Sequence, residues 1–294
     1  MAWLAMRLAA PAAVLALAAH AFTASAAPIV VADDLGRRVT LAHPAQRIVS
    51  LSPFLTELAF SAGAGPRVVG VSAYSDYPPA ARALPQVASA AGMSLESIAA
   101  LHPDLVLAWT DTTRPEDVAR LERLGTAVFV ARARKLDDPP RLLEAIARLA
   151  GTDVSTAAAQ FRSRIDALRR RHAARPVVNA LVEIWHAPLT TVGAGHWIGE
   201  ALAACGARNA FADLPGLAPQ VGWELVYRRD PDVIVATGSA GSEKEVREQW
   251  RAHSTLRAVR AGRIVFVDAD LLERPTLRLA DGVAQLCEGI ERAR

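Results

Sequence analysis

The stretch LESIAALHPDLVLAW, residues 95–109, has a divergent copy in WELVYRRDPDVIVAT, residues 223–237. At a constant offset of 128 residues, the two copies share a glutamate at their second position, a Pro-Asp pair and then an apolar run. Such a unit is typical of a short helix that ends before the proline and is followed by a buried strand. A chain of 294 residues is long enough for two hydrophobic cores. One copy in each half therefore predicts two related domains.

Short valine-rich runs alternate with helical patterns in both halves, which is typical of βα units around a mainly parallel sheet. The predicted strands are 47–51, 68–71, 105–109 and 127–131 in the first half, and 177–184, 233–237 and 264–267 in the second. Between the halves, apolar residues spaced three and four apart over 153–173 predict one amphipathic helix of roughly 30 Å. We predict an α/β fold of two α/β lobes, 27–151 and 176–294, joined by one long rigid helix, 152–175.

The first residues predict export. Arg7 precedes an apolar run over 8–19, and Ala24-Ser25-Ala26 has the small side chains of a cleavage site. We therefore expect a signal peptide at 1–26 and a mature chain that begins at Ala27. The apolar run is too short to span a bilayer, and no cysteine lies near the cleavage site to carry a lipid. The mature protein is expected to be soluble and not lipidated.

The only two cysteines, Cys205 and Cys287, both lie in the second half. In an exported protein they are expected to form a disulfide, with a free reactive thiol as the alternative. The bond would tie the last helix to the second lobe.

Composition and motifs argue against several functional classes. Without Arg7, 32 basic side chains face 30 acidic ones, which disfavours nucleic acid or another polyanionic partner. The chain has no Gly-x-Ser-x-Gly elbow and no phosphate-binding loop, so an enzyme is not expected. His186 and His196 are ten residues apart with no cysteine nearby, so no dedicated metal site is expected.

Glu96 and Glu224 occupy matching positions in the repeat, each in the first turn of a predicted helix. A carboxylate there is explained by the helix dipole alone. The matched pair favours a second role, because two equivalent acids suit docking on a partner made of two identical subunits, each offering a basic residue.

Three further segments carry candidate ligand-binding residues. The loop SAYSDYPP, 72–79, follows a predicted strand and contains Tyr74, and Trp109 is the last residue of the next predicted strand. Ligands of open α/β sheets bind at the carboxyl ends of the strands, where both residues lie. The alternative for the loop is an ordinary rigid turn. Trp185 and His186 lie beside a glycine-containing loop in 184–202, and aromatic side chains there suggest a flat ligand face. The segment DLLERPTLR, 270–278, supplies charged side chains as further candidate ligand contacts. The alternative is that this segment is only a solvated connection between elements.

Taken together, these features resemble the periplasmic binding proteins of vitamin and iron-chelate ABC importers, and within that family they are most similar to the cobalamin receptors. The matching segments cover nearly all of the chain after the leader: LSPFLTELAFSAG, VSAYSDYPP, QVASAAGMSLESIAALHPDLVLAW, ACGARNAF, PQVGWELV, LLERPTLR and QLCEG. The resemblance implies the class III periplasmic binding protein architecture, a periplasmic location and a Cys205–Cys287 disulfide. Ala90, Ala218 and Leu271 depart from the pattern, because better-known cobalamin receptors have large aromatics there.

The resemblance also implies a ligand, a site and a partner. The ligand is cobalamin or a related corrinoid, held without a resident cofactor between the lobes. The implied ligand contacts, together with the aromatic residues suggested above, are Tyr74, Trp109, Trp185, His186, Asp270, Leu271, Leu272, Glu273 and Arg274. Glu96 and Glu224 become the acids that dock a monomeric protein on an inner-membrane ABC permease dimer with its ATPase.

Three alternatives remain open from the sequence. A ferric siderophore would more often need clustered arginines than the amide-fringed, nearly neutral corrinoid. Haem would take Tyr74 or His186 as an axial ligand. An exported adaptor with no small ligand would instead bury the cleft aromatics between its lobes.

Overall fold

The computed structural model describes residues 27–294, so the predicted signal peptide lies outside the described residues. The chain begins with an antiparallel hairpin of β1 (Ile29–Ala32) and β2 (Arg38–Leu41). Among the helices of residues 27–294, none combines the length and the apolar character needed to cross a membrane.

The first lobe is built on a six-stranded sheet in the order β6-β5-β4-β3-β7-β8, parallel except for β6. Its strands are β3 (Ile48–Ser50), β4 (Val68–Ser72), β5 (Gln86–Ser89), β6 (Gly92–Met93), β7 (Leu105–Trp109) and β8 (Ala127–Ala131). The helices are α1 (Pro53–Ser61), α2 (Leu95–Ala100), α3 (Pro115–Arg123) and α4 (Asp138–Ala150), with short 3-10 turns at Gly65–Arg67 and Pro79–Ala83. The four strands predicted for this half are all present.

The second lobe has a four-stranded, fully parallel sheet in the order β10-β9-β11-β12. Its strands are β9 (Val178–Glu183), β10 (Ala207–Asn209), β11 (Val233–Gly238) and β12 (Ile264–Asp268). The linking helix is α5 (Ser155–His172), and the lobe adds α6 (Trp197–Ala204), α7 (Trp223–Arg229), α8 (Glu243–Arg251), α9 (Arg257–Arg260), α10 (Ala269–Leu272) and α11 (Leu279–Arg292). The α/β architecture predicted from the sequence is confirmed.

The repeat is structural as well as sequential. In the first lobe the carboxylate of Asp104 accepts hydrogen bonds from the backbone N–H groups of Gln46 at 2.7 Å and Arg47 at 3.0 Å, just before β3. In the second lobe Asp232 accepts from the N–H of Asn179 in β9 at 2.8 Å. Both aspartates thus join the start of one strand to the start of its parallel neighbour, β7 to β3 and β11 to β9. Each lobe needs the same helix–strand unit, which is why the chain contains it twice.

Helix α5 packs against α4 of the first lobe and against α6 and α11 of the second. Its Phe161 and Ile165 are buried in one apolar cluster with side chains from both lobes. At 1.5 Å per residue, its 18 residues span roughly 27 Å. The predicted long amphipathic helix between the lobes is therefore confirmed.

Cys205 and Cys287 form the expected disulfide, with an S–S distance of 2.03 Å. Cys205 follows α6 and Cys287 lies in α11, and both are buried. The bond ties the last helix to the second lobe.

Two serines at helix N-termini of the first lobe differ in whether they cap the helix. Ser52 precedes α1 at the capping position, but its hydroxyl makes no capping bond and has no partner within residues 27–294. Pro53 occupies the first helical position, where its missing N–H leaves one fewer unpaired donor at the end of the helix. Ser94, by contrast, caps α2 by accepting a hydrogen bond from the N–H of Ser97.

Candidate functional site

Two adjoining cavities open where the strands of the first sheet end. The larger, about 520 Å³, is lined by the turns after β3 and β4, by β5 and β6, and by residues around α3; Tyr74 and Trp109 are in its wall. The smaller, about 280 Å³, is bounded by Phe54 on the first lobe and by residues 269–275 on the second. Ser52, Pro53 and Trp109 line both cavities. Together they form one space between the lobes, called here the cleft.

The cleft brings together five of the residues predicted from the sequence. These are Tyr74, Trp109, Asp270, Glu273 and Arg274. They come from the carboxyl ends of β4 and β7 and from the segment after β12, as expected for a ligand site on open α/β sheets.

Trp109 forms the centre of the wall shared by both cavities. Its ring packs edge-on against Phe54, with the centroids 5.3 Å apart and the planes at 83°. The indole N–H is buried and has no acceptor within residues 27–294. The ring therefore presents an apolar surface to the cleft, while its N–H is unpaired beneath that surface.

Tyr74 projects from a strained turn. Its φ is +63°, in the left-handed region that bulky residues avoid, and 79% of its surface is exposed. The next residue, Ser75, is buried and hydrogen-bonds the hydroxyls of Thr56 at 3.0 Å and Ser72 at 3.2 Å. These bonds hold the backbone while the phenol points outward.

Two arginines of the second lobe reach across to the first, and we call them the interlobe arginines, Arg274 and Arg278. Arg274 donates to Asp76 at 2.7 Å and lies 3.0 Å from Asp270. Arg278 donates from Nε and Nη2 to the two carboxylate oxygens of Glu57, both at 2.7 Å. Its guanidinium also lies 3.8 Å from the centre of the Tyr77 ring. Both lobes and the loop 72–79 are thereby fastened together.

These contacts shift the acid–base equilibria of the cleft. Burial raises the pKa of the Asp76 carboxyl, but the hydrogen bond and charge of Arg274 outweigh it, so the pKa lies below its usual value. The hydrogen bonds to Glu57 raise the pKa of Arg278 above its usual value. The Asp76 carboxylate and the Arg278 guanidinium therefore keep their charges at neutral pH.

Glu273 behaves in the opposite way. Burial raises its pKa to about 7, and the negative charge of Asp270 adds to the rise, against the hydrogen bond of Thr237 and the charge of Arg274. The Thr237 hydroxyl also donates to the Glu183 carbonyl at 2.9 Å. The Thr237 hydroxyl has a single hydrogen and cannot donate it to both oxygens at once. When it donates to the Glu183 carbonyl, its contact with Glu273 is a hydrogen bond only if the Glu273 carboxyl is protonated and donates. With a pKa of about 7, Glu273 is protonated in part of the molecules at neutral pH, and only that form can donate a hydrogen bond.

Each arginine that lines the cleft already has a carboxylate partner. Arg114 donates to Asp117 at 2.9 Å and lies 3.4 Å from Glu116. Arg274 is held by Asp76 and Asp270. Within the described residues, the cleft walls therefore offer no unpaired arginine to an anionic ligand.

Trp185 and His186 lie apart from the two cavities, on the turn that follows β9. Trp185 is exposed, and its indole donates to the Ala187 carbonyl at 3.0 Å. His186 Nδ1 is 2.8 Å from the buried carboxylate of Glu183, whose other oxygen accepts the indole N–H of Trp250. This turn belongs to the same sheet edge as Glu273, because Thr237 contacts both Glu183 and Glu273.

The two leucines of the predicted contact segment differ from the charged residues around them. Leu272 is fully buried in the core, where its carbonyl oxygen accepts the indole N–H of Trp197 at 3.0 Å. Its side chain is directed to the core by the short helix α10, so it does not line the cleft as expected. Leu271 is half-buried and is absent from the walls of both cavities. Ala90, where related receptors were expected to have an aromatic, does line the larger cavity.

Sequence reasoning missed the interlobe pair of Glu57 and Arg278. Glu57 is a carboxylate inside the apolar pattern PFLTELAF, which is a signal that a buried charge needs a partner. Its partner, Arg278, lies 221 residues away, and the spacing holds no hint of that pairing.

The repeat glutamates lie where the pattern predicts. Glu96 is in the first turn of α2 and Glu224 in the first turn of α7. Both side chains are exposed, and neither forms an ion pair within residues 27–294. They are therefore accessible to a partner.

The sequence profile of periplasmic binding proteins matches residues 48–271. The chain belongs to the periplasmic binding protein family. Its relatives include the vitamin B12-binding protein of Vibrio cholerae serotype O1, which is 37% identical over 246 residues, 83% of this chain and 88% of the relative. The vitamin B12-binding protein of Vibrio campbellii is 32% identical over 253 residues, 85% of this chain and 91% of the relative.

Solved structures agree with this family. The crystal structure of the periplasmic vitamin B12-binding protein of Vibrio cholerae superposes with a TM-score of 0.78 at 36% identity, covering 85% of this chain and 98% of that one. A periplasmic heme-binding protein from Roseiflexus sp. RS-1, in apo form, gives a TM-score of 0.71 at 25% identity, covering 84% and 98%. The class III architecture and the resemblance inferred from the sequence are confirmed, and family membership implies a periplasmic protein.

Proposed function

We propose that this periplasmic binding protein captures cobalamin or a related corrinoid in its cleft and delivers it to an inner-membrane ABC permease dimer with its ATPase. It acts as a carrier and not as an enzyme. Relatives at 32–37% identity that are named vitamin B12-binding proteins support this assignment.

The observation that carries the proposal is the charge state of the cleft. Both arginines in its walls are neutralised by neighbouring carboxylates, and Trp109 and Tyr74 supply aromatic surface. A corrinoid is large, nearly neutral and fringed with amides, so it needs aromatic faces and hydrogen-bonding groups more than a cationic clamp. Glu273 lines the smaller cavity, where its carboxyl oxygens can accept hydrogen bonds from amide groups. A ferric siderophore more often needs clustered arginines, and in these cleft walls it would find carboxylates and no unpaired arginine.

The ligand contacts proposed from the first lobe are Tyr74 and Trp109. From the second lobe the proposed contacts are Asp270, Glu273 and Arg274 in the cleft wall, with Leu271 beside them, and Trp185 and His186 on the turn after β9, outside the two cavities. Leu272 is buried in the core beneath this segment and supports the segment by packing there.

The delivery step rests on the repeat glutamates. We propose that Glu96 and Glu224 each contact a basic residue on one of the two permease subunits, one lobe per subunit. The protein acts as a monomer, with lobes at 27–151 and 176–294 and the helix 152–175 between them. The chain is exported by the signal peptide 1–26 and released without a lipid.

Haem is the second candidate ligand. The observation in its favour is the highly exposed phenol of Tyr74 in the wall of the larger cavity, because tyrosine is one of the residues that bind haem iron.

Tryptophan fluorescence tests the ligand class, since Trp109 lies in the cleft wall. Periplasmic protein is titrated separately with cyanocobalamin, haemin and a ferric siderophore. Saturable quenching by cyanocobalamin alone supports the proposal, after correction for ligand absorbance with free tryptophan. Binding of haemin with a shifted Soret band, and no response to cyanocobalamin, would replace the corrinoid with haem.

A further inference from the structure

The ring of Tyr74 is placed by its backbone alone. Within residues 27–294 its side chain makes no hydrogen bond and pairs with no other aromatic ring, and 79% of the residue is exposed. Where the ring stands in the wall of the larger cavity therefore depends on the turn that carries it. At that turn Tyr74 has a φ of +63°. A bulky residue keeps such a conformation only where its surroundings fix it.

The two sides of this turn are held in different ways. Before Tyr74, the N–H of Ala73 donates to the carbonyl of Ala88 in β5 at 2.7 Å. After Tyr74, the N–H of Ser75 bonds only within the turn, to the Ser72 carbonyl at 3.3 Å. The hydrogen bonds that anchor Ser75 to the rest of the first lobe are therefore those of its side chain.

The Ser75 side chain belongs to a buried chain of hydroxyl groups. Ser75 Oγ lies 3.2 Å from Ser72 Oγ and 3.0 Å from Thr56 Oγ1. Thr56 Oγ1 donates to Ser50 Oγ at 3.0 Å, and Ser50 Oγ donates to the carbonyl of Ser52 at 3.1 Å. The four residues that carry these hydroxyls are at most 6% exposed. Because solvent is excluded, the hydroxyls depend on one another for their hydrogen bonds.

One arrangement uses every hydrogen of the chain. Each hydroxyl carries a single hydrogen, which it can donate once. Thr56 donates toward Ser50 Oγ or toward the Ser52 carbonyl, 3.2 Å away. The oxygen of Thr56 is then left to accept from Ser75, and the oxygen of Ser75 to accept from Ser72. Thr56 is thus the acceptor that satisfies the Ser75 hydroxyl.

Thr56 lies where three elements meet. It is in α1, while Ser50 is the last residue of β3 and Ser72 the last residue of β4. Without the Thr56 hydroxyl the chain divides, and the hydroxyls of Ser72 and Ser75 have only each other as partners. A buried donor without an acceptor is costly, which favours a rearranged turn over the strained one.

We propose that Thr56 is a positioning residue for ligand binding, an inference that rests on the corrinoid function proposed above. Its hydroxyl holds Ser75, and Ser75 holds the left-handed turn from which the Tyr74 ring meets the corrinoid. Neither Thr56 nor Ser75 lines a cavity of the cleft, so both act through Tyr74. Fixing the ring before the ligand arrives removes an ordering cost from binding.

The test measures cyanocobalamin binding to variants of the periplasmic protein by isothermal titration. Thr56→Val replaces the hydroxyl by a methyl group of similar size, and it should raise the Kd about fivefold or more. Thr56→Ser keeps the hydroxyl and should retain the original affinity. Combined with Tyr74→Ala, Thr56→Val should change the Kd by about twofold at most, because the ring that it positions is gone. A role in stability alone would not produce this dependence on Tyr74.

Thr126→Val is the matched control. It removes another buried hydroxyl of the first lobe, one that bonds the Pro103 carbonyl outside the cleft walls, and it should leave the Kd unchanged. Ser75→Ala cuts the same link from the side of the turn, and it provides a second variant should Thr56→Val fold poorly.

Fluorine NMR follows the Tyr74 ring without any ligand. The chain has three tyrosines, so labelling with 3-fluorotyrosine gives three signals, which tyrosine-to-phenylalanine variants assign. Thr56→Val should shift or broaden the signal of Tyr74. The signal of Tyr227, on the second lobe, should stay in place.

Several outcomes would overturn the inference. Equal affinities of the original protein and Thr56→Val for cyanocobalamin, or an unchanged Tyr74 fluorine signal, would remove the positioning role and leave the corrinoid function intact. The same loss of affinity with and without the Tyr74 ring would show that Thr56 acts by another route. No binding of any corrinoid by the folded original protein would remove the corrinoid function and the ligand role of Thr56 together.

Discussion

At the scale of single residues, Trp109 is the side chain on which the cleft depends most. It lines both cavities and packs edge-on against Phe54. We expect Trp109→Ala to raise the Kd for cyanocobalamin by about tenfold or more, because an aromatic contact surface and a buried donor are lost together. Fluorescence titration would lose its reporter in this variant, so calorimetry is the measurement.

Tyr227→Ala is the matched control, because Tyr227 is an exposed aromatic residue outside the cleft walls. Equal affinities of the two variants for cyanocobalamin would remove Trp109 from the ligand site.

Glu273 links the stability of the fold to pH. Its pKa is raised from 4.5 to about 7 by burial, so the folded state binds more protons than the unfolded state in that interval. The stability that comes from this carboxyl is complete below 4.5 and is lost as pH rises through about 7. The groups that face it are Thr237, Asp270 and Arg274.

The corresponding prediction concerns Glu273→Gln. The variant keeps the size and hydrogen-bonding groups of the neutral acid but cannot ionise. Its thermal unfolding temperature, relative to the original protein, should therefore rise between about pH 5 and about pH 8. A difference that is constant across this range would show that Glu273 does not titrate in the folded protein.

At the scale of elements, the contact between α1 and the start of α11 joins the two lobes. Glu57 in α1 is 2% exposed, and its bidentate partner, Arg278, is 22% exposed. Removing one member of such a pair leaves an uncompensated buried charge. We expect Glu57→Gln to lower the free energy of unfolding in urea by about 3 kcal/mol, the lower end of the usual range for a buried pair.

The exposed pair Arg164–Asp281 joins α5 to the same helix and serves as the matched control. Its side chains are 51% and 50% exposed. Asp281→Asn should change the free energy of unfolding by about 1 kcal/mol at most, because solvent screens an exposed pair. Equal losses in the two variants would mean that the interlobe contact of Glu57 contributes no more than a surface ion pair.

Elements differed in how well the sequence predicted them. Strands such as β7 and β11 are continuous apolar runs, so their burial on both faces was evident before the structure was known. The short strands β5, β6 and β10 lack such runs and were missed; β6 and β10 lie at the edges of their sheets, where less apolar surface is needed, and β5 pairs with the two-residue β6. Leu272 was predicted to contact ligand, but one turn of helix directs it inward, and the pattern of a four-residue helix is too short to reveal its buried face.

At the scale of the whole molecule, the 128-residue repeat predicted the most. It led to two lobes with equivalent helix–strand units, and the paired roles of Asp104 and Asp232 bear this out. The contacts between lobes were not predictable in the same way. Glu57 and Arg278 meet only because the two sheets are placed against one another, and no local pattern encodes a pairing between such distant positions.

The two-lobed arrangement also yields a prediction for transport. Glu96→Ala combined with Glu224→Ala should abolish corrinoid uptake in cells, while the purified variant keeps the affinity of the original protein. The reason is that both acids are exposed and lie in first turns on separate lobes, where they reach a partner without touching the cleft. Glu245→Ala with Glu288→Ala, which removes two exposed acids of α8 and α11 that form no ion pair within residues 27–294 and do not line the cleft, is the control for lost negative charge. A parallel loss of affinity in the double repeat variant would contradict a docking role.

The central claim is that a corrinoid binds in the cleft, and isothermal titration of the periplasmic protein with cyanocobalamin tests it most directly. The account predicts saturable binding of one cyanocobalamin per chain. Cobinamide, which lacks the lower nucleotide base, should also bind, because the cleft contacts the corrinoid through aromatic surface and through hydrogen bonds to its amide groups. Folded protein that gives no heat of binding with either corrinoid, under conditions where haemin or an iron chelate does bind, would contradict the claim.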